Sequence, residues 1–131
     1  MPGKNATIFL CDDDEDVRSA LTLLLVPRGF DVVAFHGGQE MLAALAIEPQ
    51  PLRAVFVMDV NNPSMDGRLL HTKLIECGYA ERSPIIFLSA CGSSEIAEQA
   101  ISEGALAFVD KPCDGSTLLK LLHLAVELER Q

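Results

Sequence analysis

Five consecutive acids, Asp12, Asp13, Asp14, Glu15 and Asp16, follow directly on the apolar run "IFLC". Carboxylates crowded in this way raise one another's proton affinity and cost stability unless positive charge answers them. Three distant residues have types that could share their chemistry. Asp59 closes the apolar run "AVFVMD", Ser89 lies in "PIIFLSA", and Lys111 follows "LAFVD". Oxygen donors of this kind suit a hard divalent cation such as Mg2+, which keeps several waters in its remaining positions. A lysine ammonium is a point donor suited to phosphate oxygen. A carboxylate held beside a cation and a lysine becomes a nucleophile toward phosphorus, and the product is an aspartyl phosphate. The chemistry these residues admit is phosphoryl transfer onto an aspartate, provided that the fold brings them together.

The pattern of elements supplies that condition. Apolar runs of strand length, at 6–11, 30–35, 54–59, 84–90 and 106–110, alternate with helical patterns at 16–26, 37–47, 67–78, 94–105 and 116–130. Pro27 and Gly29 end the first helix, because proline cannot continue the hydrogen-bond ladder and glycine tolerates a left-handed cap. The strands read as continuous apolar runs without in/out alternation, which is the pattern of a parallel sheet covered on both faces. With right-handed crossovers this predicts an α/β fold: a three-layer doubly wound (βα)5 sandwich with a parallel five-stranded sheet. Every strand of such a sheet points its C-terminal end at one edge, and ligands bind outside that edge. Asp12 and Asp13, Asp59, Ser89 and Lys111 all stand there.

Composition bounds the function. The 131 residues are 49% hydrophobic, enough for one domain with a large core. The formal net charge of −9 disfavours direct binding to nucleic acid or to an anionic membrane, and the opening acids supply a large part of it. No run approaches the length of a membrane span, and the N-terminus has no signal-peptide core. Cys11, Cys77, Cys91 and Cys113 lack metal-ligand spacing and read as buried reduced thiols, which fits a cytoplasmic location.

With these residues in place the chain resembles the receiver domain of a two-component response regulator, over about residues 6–128. The pieces that carry the resemblance are "IFLCDDD", "VFVMDVNNPSMDG", "IIFLSA" and "GALAFVDKP". The resemblance implies the strand order 2-1-3-4-5. Residues 1–131 read as a single receiver domain with no output domain among them, either a stand-alone receiver or the N-terminal piece of a longer regulator. It implies that Asp59 is the phosphoacceptor, that Asp13 ligates Mg2+ (or Mn2+) directly, and that Asp12 acts mainly through water. The backbone carbonyl of Asn61 would be the remaining protein ligand. Lys111 would pair with the acceptor and then with the phosphoryl group, across a cis Lys111–Pro112 bond. Ser89 would bond a phosphoryl oxygen, with Phe108 as the aromatic whose rotamer follows it. The implied donor is a sensor histidine kinase or a histidine phosphotransfer protein. The implied output face is formed by the fourth helix, fifth strand and fifth helix, which also offers a homodimer surface. The regulated process would include transcription, through a partner or output domain.

Some residues depart from the common family pattern. Asn62 stands where an apolar residue usually precedes Pro63, Ala107 replaces a frequent acid, and Cys113 a frequent Phe; Pro27 and the Gly37–Gly38 pair are also unusual. Other residues have plainer readings. Glu15 and Asp16 fit the first turn of a helix, where negative charge meets the positive end of the macrodipole. Asp14 stays unassigned between helix and pocket. His36, His71 and His123 read as surface or packing residues, and the leucines of the last helix cover more than one face. Two other functions are weaker. A small phosphatase using Asp59 transiently would want a general acid near the acceptor, and position 61 is an amide. A flavodoxin-like cofactor binder would want a phosphate-cradling loop after the first strand, where this chain has acids that repel phosphate.

Overall fold

The computed structural model describes residues 6–48, 53–90, 94–111 and 114–129. Strand β3 (Ala54–Asp59) is buried at every position, as an apolar run covered on both faces must be. Strand β1 (Thr7–Cys11) pairs with β3 on one side and with β2 (Asp31–Phe35) on the other. Strand β4 (Ile85–Ser89) follows β3, and β5 (Ala107–Asp110) forms the far edge. The order is β2-β1-β3-β4-β5 and every pairing is parallel, as expected.

The twofold side-chain period of a strand divides the core in two. Phe9, Cys11, Phe56, Met58 and Phe87 face α2 (Gly38–Ala46), α3 (Gly67–Glu76) and α4 (Ser94–Ser102), where Met41, Leu45, Leu70, Leu74 and Ala100 meet them. Ile8, Leu10, Val55, Val57, Ile86 and Leu88 face α1 (Glu15–Leu25) and α5 (Gly115–Glu129), through Leu25, Leu118, Leu122 and Ala125.

The differences from the sequence reading are local. The first helix ends at Leu25, and Val26–Arg28 tighten into a 3-10 turn closed by Gly29 at φ 91°. Strand β2 is an edge, with Val33 43% exposed, and is not covered on both faces. The fourth helix stops at Ser102, short of the expected 105. Cys11 is buried, but Cys77, expected inside, is exposed, because it caps the surface end of α3. Cys91, Cys113 and the Lys111–Pro112 bond involve positions outside the described residues. His71 is a packing residue, buried edge-on against Phe87 with ring centroids 5.5 Å apart. On α5, Leu118 and Leu122 are buried while Leu124 and Leu128 are nearly half exposed. No helix among the described residues is long and apolar enough to cross a membrane.

Candidate functional site

Register brings the acids together. Cys11 of β1 lies beside Met58 of β3, so Asp12 and Asp59, each one residue further on, are neighbours at the C-terminal edge. Ser89 lies beside Asp110, and the Lys111 N–H donates to the Ser89 carbonyl at 2.8 Å, which carries the lysine onto the same edge. One carboxylate oxygen from each of Asp12, Asp13 and Asp59 lies within 4.8 Å of the others. Lys111 Nζ stands 2.7 Å from Asp12 Oδ2 and 3.4 Å from Asp59 Oδ1.

Asp12 is fully buried and Asp59 is 5% exposed, while Asp13 faces solvent. Burial pushes the Asp59 carboxyl above its ordinary range; Lys111 opposes that shift, Asp12 adds to it, and the Asn61 N–H, donating to Asp59 Oδ1 at 3.3 Å, opposes it again. For Lys111, burial works against the ammonium, but the contact with Asp12 and then Asp59 outweighs it, so its pKa rises. The neighbouring Cys11 thiol is pushed up to about 12, by burial first and then by Asp12 and Asp59. It stays a neutral thiol at neutral pH.

The turn after β3 is held by its backbone. The Gly67 N–H donates to the Val60 carbonyl at 2.8 Å, and a Cβ on Gly67 would lie 2.5 Å from the Asp59 carbonyl oxygen. Only glycine lets α3 start so close to the end of β3. Asp66 caps that helix, accepting from the Arg68 N–H at 2.8 Å.

The acidic run divides by role. Asp12 Oδ1 accepts from the Asp14 N–H, and Asp14 Oδ1 accepts from the Asp16 N–H, both at 2.9 Å. Asp14, unassigned from sequence, is therefore the N-cap of α1, with Glu15 and Asp16 in the first turn as expected. Arg18 escaped the sequence reading. Its Nη1 donates to the Asp12 backbone carbonyl at 2.8 Å and ties α1 to the site; its placement one turn after the cap was the available signal.

Ser89 is fully buried, and its Oγ has no hydrogen-bond partner among the described residues. Buried hydroxyls are normally satisfied, so this one is free to take an oxygen that arrives at the site. Phe108 is partly buried beside Phe87, with centroids 6.2 Å apart. It borders a shallow depression of about 450 Å³ with Ala97, Glu98, Ile101 and Ser102. Another depression, of about 510 Å³, lies at the opposite edge of the sheet around Ser83, Pro84 and Leu106, away from the carboxylates. Three carboxylates answered by one ammonium, two of them buried, fit a divalent cation held through oxygen.

A doubly wound parallel sheet thus gathers acids, a hydroxyl and a lysine at its C-terminal edge, the arrangement of a receiver-type α/β domain. A model of the response regulator receiver domain matches residues 8–123, and the chain belongs to that family. The chain is 34% identical over 129 residues to the transcriptional regulatory protein TdiR of Thauera aromatica, covering 98% of this chain and 55% of that protein. It is 32% identical over 124 residues to the C4-dicarboxylate transport transcriptional regulatory protein DctD of Rhizobium meliloti, covering 95% of this chain and 26% of DctD. The chain thus spans about half, or less, of the length of these regulators. Among solved structures it is similar to the chemotaxis response regulator CheY4 of Vibrio cholerae, with a TM-score of 0.81 at 26% identity over 92% of this chain and 98% of that one. A signal receiver domain from Pseudomonas fluorescens Pf-5 shares the fold, with a TM-score of 0.86 at 23% identity, covering 99% of this chain and 93% of that one.

Proposed function

We propose that this receiver domain accepts a phosphoryl group on Asp59 from a sensor histidine kinase or a histidine phosphotransfer protein. The observation that carries the reading is the near-buried Asp59 carboxylate, 3.4 Å from Lys111 Nζ and within 4.8 Å of both Asp12 and Asp13 ligand atoms. An Asp59 oxygen attacks phosphorus as the bond from phosphorus to the donor breaks. The new P–O bond gives an acyl phosphate, and the electron pair leaves with the donor nitrogen or oxygen. Asp13, Asp59 and the Asn61 carbonyl would hold Mg2+ or Mn2+, with Asp12 acting mainly through water. The cation, when bound, supplies positive charge to the phosphoryl oxygens. Lys111 neutralises a further oxygen, and the unpartnered Ser89 hydroxyl donates to another.

The phosphoryl group adds roughly two negative charges and three strong acceptors. Drawing Ser89 toward it vacates room that Phe108 enters, which changes the α4–β5–α5 face presented to a partner, to an output domain or to a second copy in a homodimer. The names of the relatives favour transcription as the process controlled. In this role the domain is an acceptor acting on itself, not an enzyme turning over an external substrate.

Incubation with acetyl phosphate and Mg2+, followed by intact-mass measurement, tests the reading. The expected result is an adduct of about 80 Da, one phosphoryl group, that is absent in Asp59→Asn and with EDTA. No adduct, or turnover of phosphate esters, would overturn it.

A further inference from the structure

Asn62 is 4% exposed, although Asn61, Pro63 and Ser64 around it are all exposed. Burying a carboxamide is costly unless its donors and acceptor are met, and here they are. Asn62 Nδ2 donates to the His36 carbonyl at 2.8 Å and lies 3.8 Å from Cys11 Sγ. Asn62 Oδ1 accepts from the Ser64 N–H at 3.0 Å and from Ser64 Oγ at 2.9 Å. One side chain therefore joins the turn after β3 to the end of β1 and to the β2–α2 connection.

Those two segments are themselves coupled, since the Asp12 N–H donates to the Phe35 carbonyl at 3.0 Å. The glycines of the connection complete the fit. A Cβ on Gly37 would lie 2.2 Å from Ser64 Oγ, and one on Gly38 would lie 2.8 Å from Met65 Sδ. Residues 36–38 and 62–65 are matched surfaces with Asn62 as their polar bond. An apolar side chain at 62 would fill the volume but would leave the His36 carbonyl and the Ser64 N–H without these partners.

We infer that Asn62 is a positioning residue for the cation site: it locks the acceptor turn onto the ends of β1 and β2, and so fixes the Asn61 backbone carbonyl relative to Asp12 and Asp13. Asn62 itself contributes no ligand. Its amide takes over the anchoring of the turn from packing alone, and the hydrogen bonds give that anchor a direction. The inference rests on the Mg2+ role proposed above for the Asn61 carbonyl.

The experiment compares wild type, Asn62→Leu, Ser64→Ala and, as a control for lost stability alone, Leu122→Ala in the core beneath α5. Hydrogen exchange is followed in metal-free buffer, and Mg2+ affinity by NMR titration. In Asn62→Leu, exchange should accelerate together in 60–66 and 35–38, and the Mg2+ dissociation constant should rise roughly tenfold, as for loss of an outer-shell support. Ser64→Ala, at an exposed position, should give a smaller rise of about threefold, and Leu122→Ala none. An Asn62→Leu affinity within about twofold of a Mg2+-binding wild type overturns the inference alone. Where Asn62→Leu fails to fold, an unchanged affinity in Ser64→Ala does the same. Absence of Mg2+ binding by the wild type overturns the proposed function, and this inference with it.

Discussion

Replacing Asp59 by asparagine should make the metal-free protein more stable. At an effective dielectric of about 20, the Lys111 ammonium 3.4 Å away stabilises the Asp59 charge by about 5 kcal/mol, and Asp12, with ligand atoms no more than 4.8 Å away, opposes it by at least about 3.5 kcal/mol. Charge–charge terms from these two groups thus favour ionised Asp59 by at most about 1.4 kcal/mol. Dehydrating a carboxylate that is 5% exposed costs several kcal/mol, which reverses the balance and accounts for the raised carboxyl pKa. A carboxyl whose folded pKa lies above its unfolded value loses stability as pH rises through the interval between the two, so the ionised Asp59 is a net cost above that interval. Asparagine keeps the shape and can still accept from the Asn61 N–H, while Lys111 keeps Asp12 at 2.7 Å.

Asp59→Asn should therefore stabilise the protein in EDTA by on the order of 1 kcal/mol, or raise Tm by about 4 °C for a chain of this size. Mg2+ at a hundredfold excess over its dissociation constant adds about 2.7 kcal/mol to a protein that binds it only when folded. The wild type should gain most of this and the variant little, so that the order of stabilities reverses. Urea denaturation followed by far-UV circular dichroism, in EDTA and in saturating Mg2+, measures both halves. A variant less stable than wild type in EDTA, or one gaining as much from Mg2+, would refute the electrostatic reasoning.

Two further outcomes test the scaffold. Burial holds the His71 imidazole below its ordinary pKa of 6.5, with Glu103 opposing in part; the unfolded chain takes up that proton first, so stability falls as pH drops from 6.5 toward the folded pKa. The unfolding free energy from urea titrations between pH 7.5 and 5 should decline less steeply in His71→Leu than in wild type, by at most about 1.4 kcal/mol per pH unit, and parallel declines would dismiss His71 as a source. At the other edge of the sheet, Arg53 Nε and Nη2 bond the Glu129 carboxylate at 3.0–3.3 Å, tying the end of α5 to the start of β3. Because Glu129 is 6% exposed but Arg53 is 37% exposed, Arg53→Ala should cost about 1–2 kcal/mol, less than for a fully buried pair, and Arg53→Met with Glu129→Leu should recover most of it. A double variant no more stable than Arg53→Ala would count against a stranded carboxylate as the cause.

The acids were legible in the sequence because a parallel sheet converts a one-dimensional pattern into a place. Once apolar runs are read as parallel strands, whatever follows each of them must meet at one edge, and Asp12, Asp59, Ser89 and Lys111 do so through backbone register alone. Backbone register of this kind does not depend on side-chain packing. Features decided by packing are not legible in this way. Cys77 looks as apolar as Cys11 in sequence, yet one caps a surface helix end and the other faces the core. Asp14 became a cap when its φ of −84° and ψ of 114° placed it just outside the helix.

Asn62 and the Gly37–Gly38 pair stood out in sequence as two separate oddities. They are one feature, since the serine that the Asn62 amide orients occupies the space a Cβ on Gly37 would need. No local pattern joins positions so far apart in the chain. The polar residue at 62 is thus no defect in an apolar turn. It exchanges adaptable packing for directed bonds at the point where the turn leaves β3, and glycine at 37 is the condition for that exchange.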